Sequence, residues 1–150
     1  MATRSKPAPQ KAASRARPAA RGRAVKHPST AEGALARVRQ LCAALPETSE
    51  KIAWGAPTFR VRDKMFAMFL DDHHSDGRLA LWCKAPLGLQ EMLVGDDPER
   101  FFVPPYVGVK GWIGVRLDCA PDWDVVADLL TRGWHLAAPR RLAAAMEVLR

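Results

Sequence analysis

The sequence lacks the features of membrane-spanning and secreted proteins. No run approaches the roughly 18 consecutive apolar residues that a membrane span needs. Residues 1–28 are basic, but no apolar stretch follows them as it would in a secretory signal. Cysteine is scarce: Cys42, Cys83 and Cys119 cannot all pair within one chain, and none lies in a C-x-x-C motif. We therefore expect reduced thiols, no membrane association and a cytoplasmic location.

Catalytic and cofactor-binding signatures are missing as well. The chain has no G-x-S-x-G, no P-loop and no G-x-G-x-x-G sequence. Metal-ligand side chains cluster in the DDHHSD stretch at residues 71–76, whose spacing matches neither a calcium loop nor a tetrahedral zinc site. We interpret that stretch as a solvated turn, and we expect no metal, no cofactor and no enzymatic activity. A Cys–His nucleophile stays open, because no histidine is near Cys119 in sequence but folding can bring one close.

Positive charge is concentrated at the N-terminus. Residues 1–28 contain eight lysines and arginines and no acid, whereas residues 29–150 contain 15 bases and 16 acids. The first segment is rich in alanine and proline, and Val25 is its one aliphatic residue larger than alanine after Met1. Such a segment buries too little apolar surface to offset the backbone entropy of folding. The sequence therefore predicts a disordered basic tail over residues 1–28 and a single folded domain over residues 29–150.

The chemistry of this tail suits a polyanionic partner. Lysine and arginine neutralise phosphates and release counterions with little sequence preference, so we expect nucleic acid, DNA in particular, as the partner. Arg21-Gly22-Arg23 resembles the core of an AT-hook, in which two arginines enter a narrow minor groove. A transit peptide and a solubilising tail without a partner are the alternatives. The tail residues assigned to nucleic-acid binding are Arg15, Arg17, Arg21, Gly22, Arg23 and Lys26.

Residues 29–150 show helical and strand patterns in turn. Apolar periodicity predicts helices over 30–45, 86–95, 121–137 and 140–150, and strands over 58–62, 65–70, 78–84 and 112–117. Residues 47–57 are expected to form a loop, and residues 101–106 an extended edge segment. Because short connections favour antiparallel pairing, the pattern predicts an α+β fold. We expect a two-layer sandwich, with helices packed on one face of an antiparallel sheet.

The sheet face without helices is then a candidate binding surface. Alternation places two tryptophans and four cations on this face. The indole rings offer a stacking surface to unpaired bases, worth about 1–3 kcal/mol per base, and the cations can contact phosphates. Alternatively, the loop 101–110 or the terminal helix covers the two tryptophans, and the cations only flank a core. Beside this face, Gly108, Gly111 and Gly114 mark either a binding edge or a hairpin with structural aromatics. The residues predicted for this surface are Arg60, Arg62, Trp82, Lys84, Tyr106, Lys110, Trp112 and Arg116.

Several of these stretches together resemble the MmcQ/YjbR family. They are CAALPETSE at a helix end, WGAPTFRVRDKMFAMF, LALWCK and PPYVGVKGWIGVRLD before an acid-started helix, spanning about residues 33–138. The resemblance implies a CyaY-like two-layer α+β fold and a DNA-binding role. Tyr106, Lys110 and Trp112 match a family pattern by residue type, which implies a contact at a sheet edge with Lys110.

We therefore predict a DNA-binding protein with little sequence preference. The basic tail is the main contact and the basic-aromatic sheet face a second one, and two weak sites on one chain strengthen each other. The alternative is a small-molecule or protein-binding module without a nucleic-acid role. In that module, Trp54, Trp82, Trp112 and Tyr106 line an apolar pocket at the sheet edge.

Overall fold

A computed structural model describes residues 30–149 of the chain, and the predicted tail lies outside these residues. The described part contains four α-helices and six strands. In chain order these are α1 (Thr30–Ala43), β1 (Thr48–Ala53), β2 (Ala56–Val61), β3 (Lys64–Asp71), β4 (Leu79–Cys83), α2 (Leu89–Asp96), β5 (Phe101–Phe102), β6 (Ile113–Arg116), α3 (Trp123–Ala137) and α4 (Arg140–Leu149). None of these helices is long and apolar enough to cross a membrane.

The six strands form one sheet in the order β1-β2-β3-β4-β6-β5. Every neighbouring pair is antiparallel, with Ala67 opposite Cys83 and Cys83 opposite Ile113 at the centre. The predicted α+β fold with an antiparallel sheet is therefore confirmed. The crossover from β4 to β6 places the short strand β5 at one edge, as expected for a segment interrupted by prolines.

The main core lies between α3 and the central strands β2, β3 and β4. Alternation along the strands turns one set of apolar side chains towards this helix, and the stripe of α3 meets them. Trp134 also donates its indole N–H to the carbonyl oxygen of Pro46 at 2.9 Å. This hydrogen bond links α3 to the connection between α1 and β1. The fully buried side chains of this core include Phe59, Val61, Phe66, Leu81, Ile113, Val126, Leu130 and Trp134.

The prediction of a loop over residues 47–57 is wrong, because this stretch contains β1. The strand is polar and its middle four residues are exposed, so it carries no apolar alternation. It is an edge strand that pairs with β2 from Thr48 opposite Val61 to Ala53 opposite Ala56. Ion pairs replace buried contacts here, such as Arg39 of α1 with Glu50 of β1 at 2.7 Å.

Three smaller boundaries also differ from the sequence prediction. The β2–β3 turn is centred on Arg62 and Asp63, both with positive φ, one residue before the expected position. Helix α2 begins at Leu89, because Gly88 takes a left-handed conformation (φ 90°) where the sequence suggested that Pro86 opens the helix. Helix α3 begins at Trp123, two residues after the predicted start. Asp122 caps it, because its carboxylate accepts from the backbone N–H groups of Asp124 and Val125.

Candidate functional site

The sheet face opposite α3 carries a second hydrophobic cluster and does not display the tryptophans. Trp82 of β4 is 2% exposed and Trp112, just before β6, is 4% exposed. Val107, from the connection between β5 and β6, packs against the same cluster. Of the two possibilities that the sequence left open, the structure therefore supports coverage of the indoles by the loop 101–110, and they are not accessible for stacking. The cluster also contains Ala56, Met68, Leu70, Ala80 and Phe102, with Met65 packed against it.

The connection between β5 and β6 (residues 103–112, the covering segment) is anchored to α2. The side-chain amide of Gln90 donates to the carbonyl oxygens of Gly108 at 2.8 Å and of Trp112 at 2.6 Å. Gly108 and Gly111 therefore lie in the long connection of the β5–β6 hairpin, Gly114 lies in β6 opposite Phe102, and Trp112 is structural.

Tyr106 projects from the covering segment and meets a pair of histidines. Its side chain is 71% exposed, and its hydroxyl lies 3.2 Å from Nε2 of His74. The ring of His73 packs edge-on against Trp82, with 5.0 Å between centroids. Nε2 of His73 and Nε1 of Trp82 are buried without a hydrogen-bond partner among the described residues. The DDHHSD stretch is thus only partly a solvated turn, and two adjacent histidines carry no sequence signal to show which one packs inward.

Two of the predicted binding arginines are paired with acceptors near the β2–β3 turn. Arg62 makes two hydrogen bonds to the carboxylate of Glu47, the shorter at 2.6 Å, and this contact lowers the pKa of Glu47. The side chain of Arg60 is 17% exposed, and it donates to Oγ1 of Thr58 at 3.1 Å and lies 3.9 Å from the carboxylate of Asp63. A phosphate would therefore have to compete with carboxylates at both guanidinium groups.

The third predicted arginine, Arg116, is also compensated. It makes a bidentate pair with Asp118, with both N–O distances at 3.0 Å. Burial pushes the pKa of Asp118 up, but the hydrogen bonds from Arg116 and from the backbone N–H of Leu79 outweigh it and leave that pKa below its usual value. Beside this pair Arg78, which sequence reasoning missed, stacks over Phe102 at 4.0 Å and helps to line a cleft of about 270 Å³.

Within residues 30–149, the two lysines predicted for this surface lack the ion pairs that the arginines make. Neither Lys84 nor Lys110 makes an ion pair with the described part of the chain. Lys110 is exposed on the covering segment, whereas Lys84 is half-buried at the end of β4, where its backbone N–H donates to the carbonyl oxygen of Phe66 at 2.9 Å. The tail residues Arg15, Arg17, Arg21, Gly22, Arg23 and Lys26 lie outside the described residues.

The predicted aromatic pocket is not formed as expected. Trp82 and Trp112 are core residues, so they do not join Trp54 and Tyr106 around one pocket. Trp54 instead lies at the tip of the β1–β2 hairpin, where it is 76% exposed and forms a two-residue turn with Gly55. It lines a separate cavity of about 200 Å³.

The thiols are held in their protonated form. Burial raises the pKa of Cys42 to about 12 and that of Cys83 well above its usual value. Burial and the neighbouring Asp118 carboxylate raise the pKa of Cys119. Because the thiolate is the nucleophile, none of the three is activated at neutral pH. Among residues 30–149, no group of three or more histidine, cysteine or acidic side chains is placed to hold a metal ion.

Comparisons with known proteins show the relationship. The fold is similar to the crystal structure of the Deinococcus radiodurans protein DR2400, which has a DUF419 domain, with a TM-score of 0.58 and 23% sequence identity. The alignment covers 68% of this chain and 76% of the other. No curated protein matches the sequence. The YjbR family model matches residues 43–136, well over half of the chain. The chain therefore belongs to the YjbR family.

Proposed function

We propose that this protein binds nucleic acid, DNA in particular, with little sequence preference and mainly through residues 1–28. The distribution of charge carries this proposal. Eight lysines and arginines without a single acid occupy this segment, while residues 29–150 contain one more acid than base. Lysines and arginines release counterions when they neutralise phosphates, and those of this segment have no carboxylate nearby in sequence to compete for them.

The sheet face makes a smaller contribution than the sequence suggested. Its arginines are engaged with acceptors and its tryptophans are buried, as described above, so base stacking on this face is not part of the proposal. Lys84 and Lys110 are its cations without an ion pair in the described part of the chain, and Tyr106 is its exposed aromatic. We assign these residues a secondary contact that supplements the tail.

The test compares two full-length variants that lose the same charge. The tail variant changes Arg17, Arg21 and Arg23 to glutamine. Affinity for a mixed-sequence DNA duplex is measured by fluorescence anisotropy at several salt concentrations. Each lost phosphate contact reduces the slope of log K against log salt by about 0.9, so the tail variant should reduce it by up to about 3.

The matched control changes Lys64, Arg140 and Arg141 to glutamine. All three are exposed on the domain and make no ion pair within the described residues. This control should keep most of the affinity and slope. Equal losses in both variants, or no binding by the unmodified protein at low salt, would show that the tail is not the nucleic-acid contact. The Lys84→Gln, Lys110→Gln double variant measures the secondary contact and should change the slope by at most about 2.

A further inference from the structure

The cavity at the tip of the β1–β2 hairpin combines an exposed aromatic ring with a carboxylate that has no partner in the described part of the chain. Trp54 forms one side, Leu35 of α1 and Phe69 of β3 contribute apolar walls, and Asp71 at the end of β3 is the acidic residue of the lining. The volume of about 200 Å³ is below the roughly 300–1,000 Å³ of pockets for drug-sized ligands. The cavity therefore has room for one small chemical group.

Trp54 is unusual both in exposure and in backbone conformation. Its side chain is 76% exposed, although tryptophan is generally among the more buried residues. Its φ of 54° lies in the left-handed region, and two-residue hairpin turns favour asparagine, aspartate or glycine there. Neither packing nor turn formation explains an indole at this position, so a contact with another molecule is the simplest explanation.

Asp71 supplies a negative charge that has no counter-ion among residues 30–149. Partial burial, together with the nearby carboxylates of Asp72 and Asp118, raises the pKa of Asp71, and no cation of the described residues acts in the opposite direction. Its carboxylate makes no hydrogen bond or ion pair with the described residues. A ligand that brings positive charge and N–H donors would satisfy this group.

A guanidinium group matches both the indole and the carboxylate of the cavity. It is planar, it stacks on aromatic faces, and it donates paired hydrogen bonds to a carboxylate. Stacking of a guanidinium group on an aromatic ring already occurs elsewhere in this chain: Arg37 lies over Trp123 at 5.3 Å and Arg78 over Phe102 at 4.0 Å. No such cation covers Trp54 within residues 30–149.

We propose that the cavity lined by Trp54 and Asp71 binds a guanidinium group, with the planar cation on the indole and its N–H groups directed at the carboxylate. The group can come from a small free compound or from an arginine side chain of another molecule. This site is independent of the nucleic-acid contact, because it is acidic and lies in the described domain.

The test is a titration of the full-length, 15N-labelled protein with ethylguanidinium chloride, followed by NMR. Sodium chloride at the same concentration is the comparison. The indole N–H signal of Trp54, identified by its loss in Trp54→Leu, and the amide signal of Gly55 should shift saturably. With one stacked cation and one ionic hydrogen-bonded pair, we expect a Kd on the order of 1 mM.

Three variants locate the site. Asp71→Asn keeps the shape and removes the charge, and should weaken binding about tenfold; Trp54→Leu removes the aromatic face and should weaken it about fivefold. Asp96→Asn removes an exposed acid on α2, outside the cavity, and should leave binding unchanged. Since the altered side chains of all three are exposed, thermal unfolding should confirm that each variant is folded.

Two outcomes would overturn the proposal: shifts no larger than those with sodium chloride, or the same affinity in Asp71→Asn as in the unmodified protein. N-acetylarginine amide then distinguishes the sources of the group. Tighter binding of this compound than of ethylguanidinium assigns the site to arginine side chains, and weaker binding assigns it to a free guanidinium compound. Loss of DNA binding in the tail variant would leave this titration unchanged.

Discussion

Replacing Gly133 of α3 with alanine is expected to destabilise the protein, whereas replacing Gly95 of α2 is expected to stabilise it slightly. Both glycines lie within helices, and alanine there is intrinsically better by about 0.5–1 kcal/mol. A Cβ on Gly95 meets nothing within 4 Å, but a Cβ on Gly133 would lie 2.9 Å from the carbonyl oxygen of Lys84 and 3.1 Å from that of Phe66. Comparison of the two variants therefore separates the effect of helix propensity on stability from the effect of close packing.

The magnitude follows from which atoms would have to move. The two carbonyl groups belong to the sheet backbone, where the N–H of Lys84 donates to the carbonyl oxygen of Phe66 at 2.9 Å. They cannot give way as a flexible side chain could, so α3 must shift and its core contacts loosen. Overpacking of this kind costs about 1–3 kcal/mol. After subtraction of the propensity gain of about 0.5–1 kcal/mol, Gly133→Ala should lose about 0.5–2 kcal/mol of unfolding free energy.

Equilibrium unfolding in urea, followed by tryptophan fluorescence, measures both free energies of unfolding in the full chain. The difference between the two variants should be about 1–3 kcal/mol, which is about 3–10 °C in Tm for a domain of this size. If Gly133→Ala were as stable as the unmodified protein, the helix would not approach the sheet as closely as described. The reasoning about the main core would then fail.

Three further predictions test the second cluster, the cavity and the covering segment. Trp82→Ala should lose about 3–5 kcal/mol of unfolding free energy, whereas an exposed indole would lose under about 0.5. Asp71→Asn should raise Tm at neutral pH and lose this gain in acid, because a raised pKa makes ionisation of the folded state unfavourable. Gln90→Leu removes the amide that donates to the carbonyl oxygens of both Gly108 and Trp112 and leaves Gly108 only its bond from the N–H of Gly111, so hydrogen exchange should accelerate throughout the covering segment.

The cations of this protein are not equally available for a contact with nucleic acid. Arg62 and Arg116 carry formal positive charge, but each is held in a two-point contact with a carboxylate. Releasing them to a phosphate would break bonds already made, so substitutions there should affect stability before they affect DNA affinity. Counting arginines on a sheet face therefore overstates its attraction for a polyanion.

The sequence alone determined the fold class and most of the elements. β3 and β4 are continuous apolar runs, β6 alternates, and α3 has an apolar stripe behind an aspartate cap, so local pattern and final structure agree. β1 could not be found in this way, because an edge strand exposed to water has no reason to alternate. The concentration of cations in residues 1–28 is likewise a property of the sequence.

Only the tertiary structure decided which side of each pattern faces water. Trp82 and Trp112 lie on the face away from α3, as the alternation indicated, but both are buried in a cluster against which Val107 of the covering segment packs. The guanidinium of Arg116 is paired with the carboxylate of Asp118, and the β1–β2 hairpin beside β3 places Trp54 in the lining of the same cavity as Asp71. Alternation assigns a side chain to a face of the sheet, whereas its exposure depends on segments packed against that face from elsewhere in the chain.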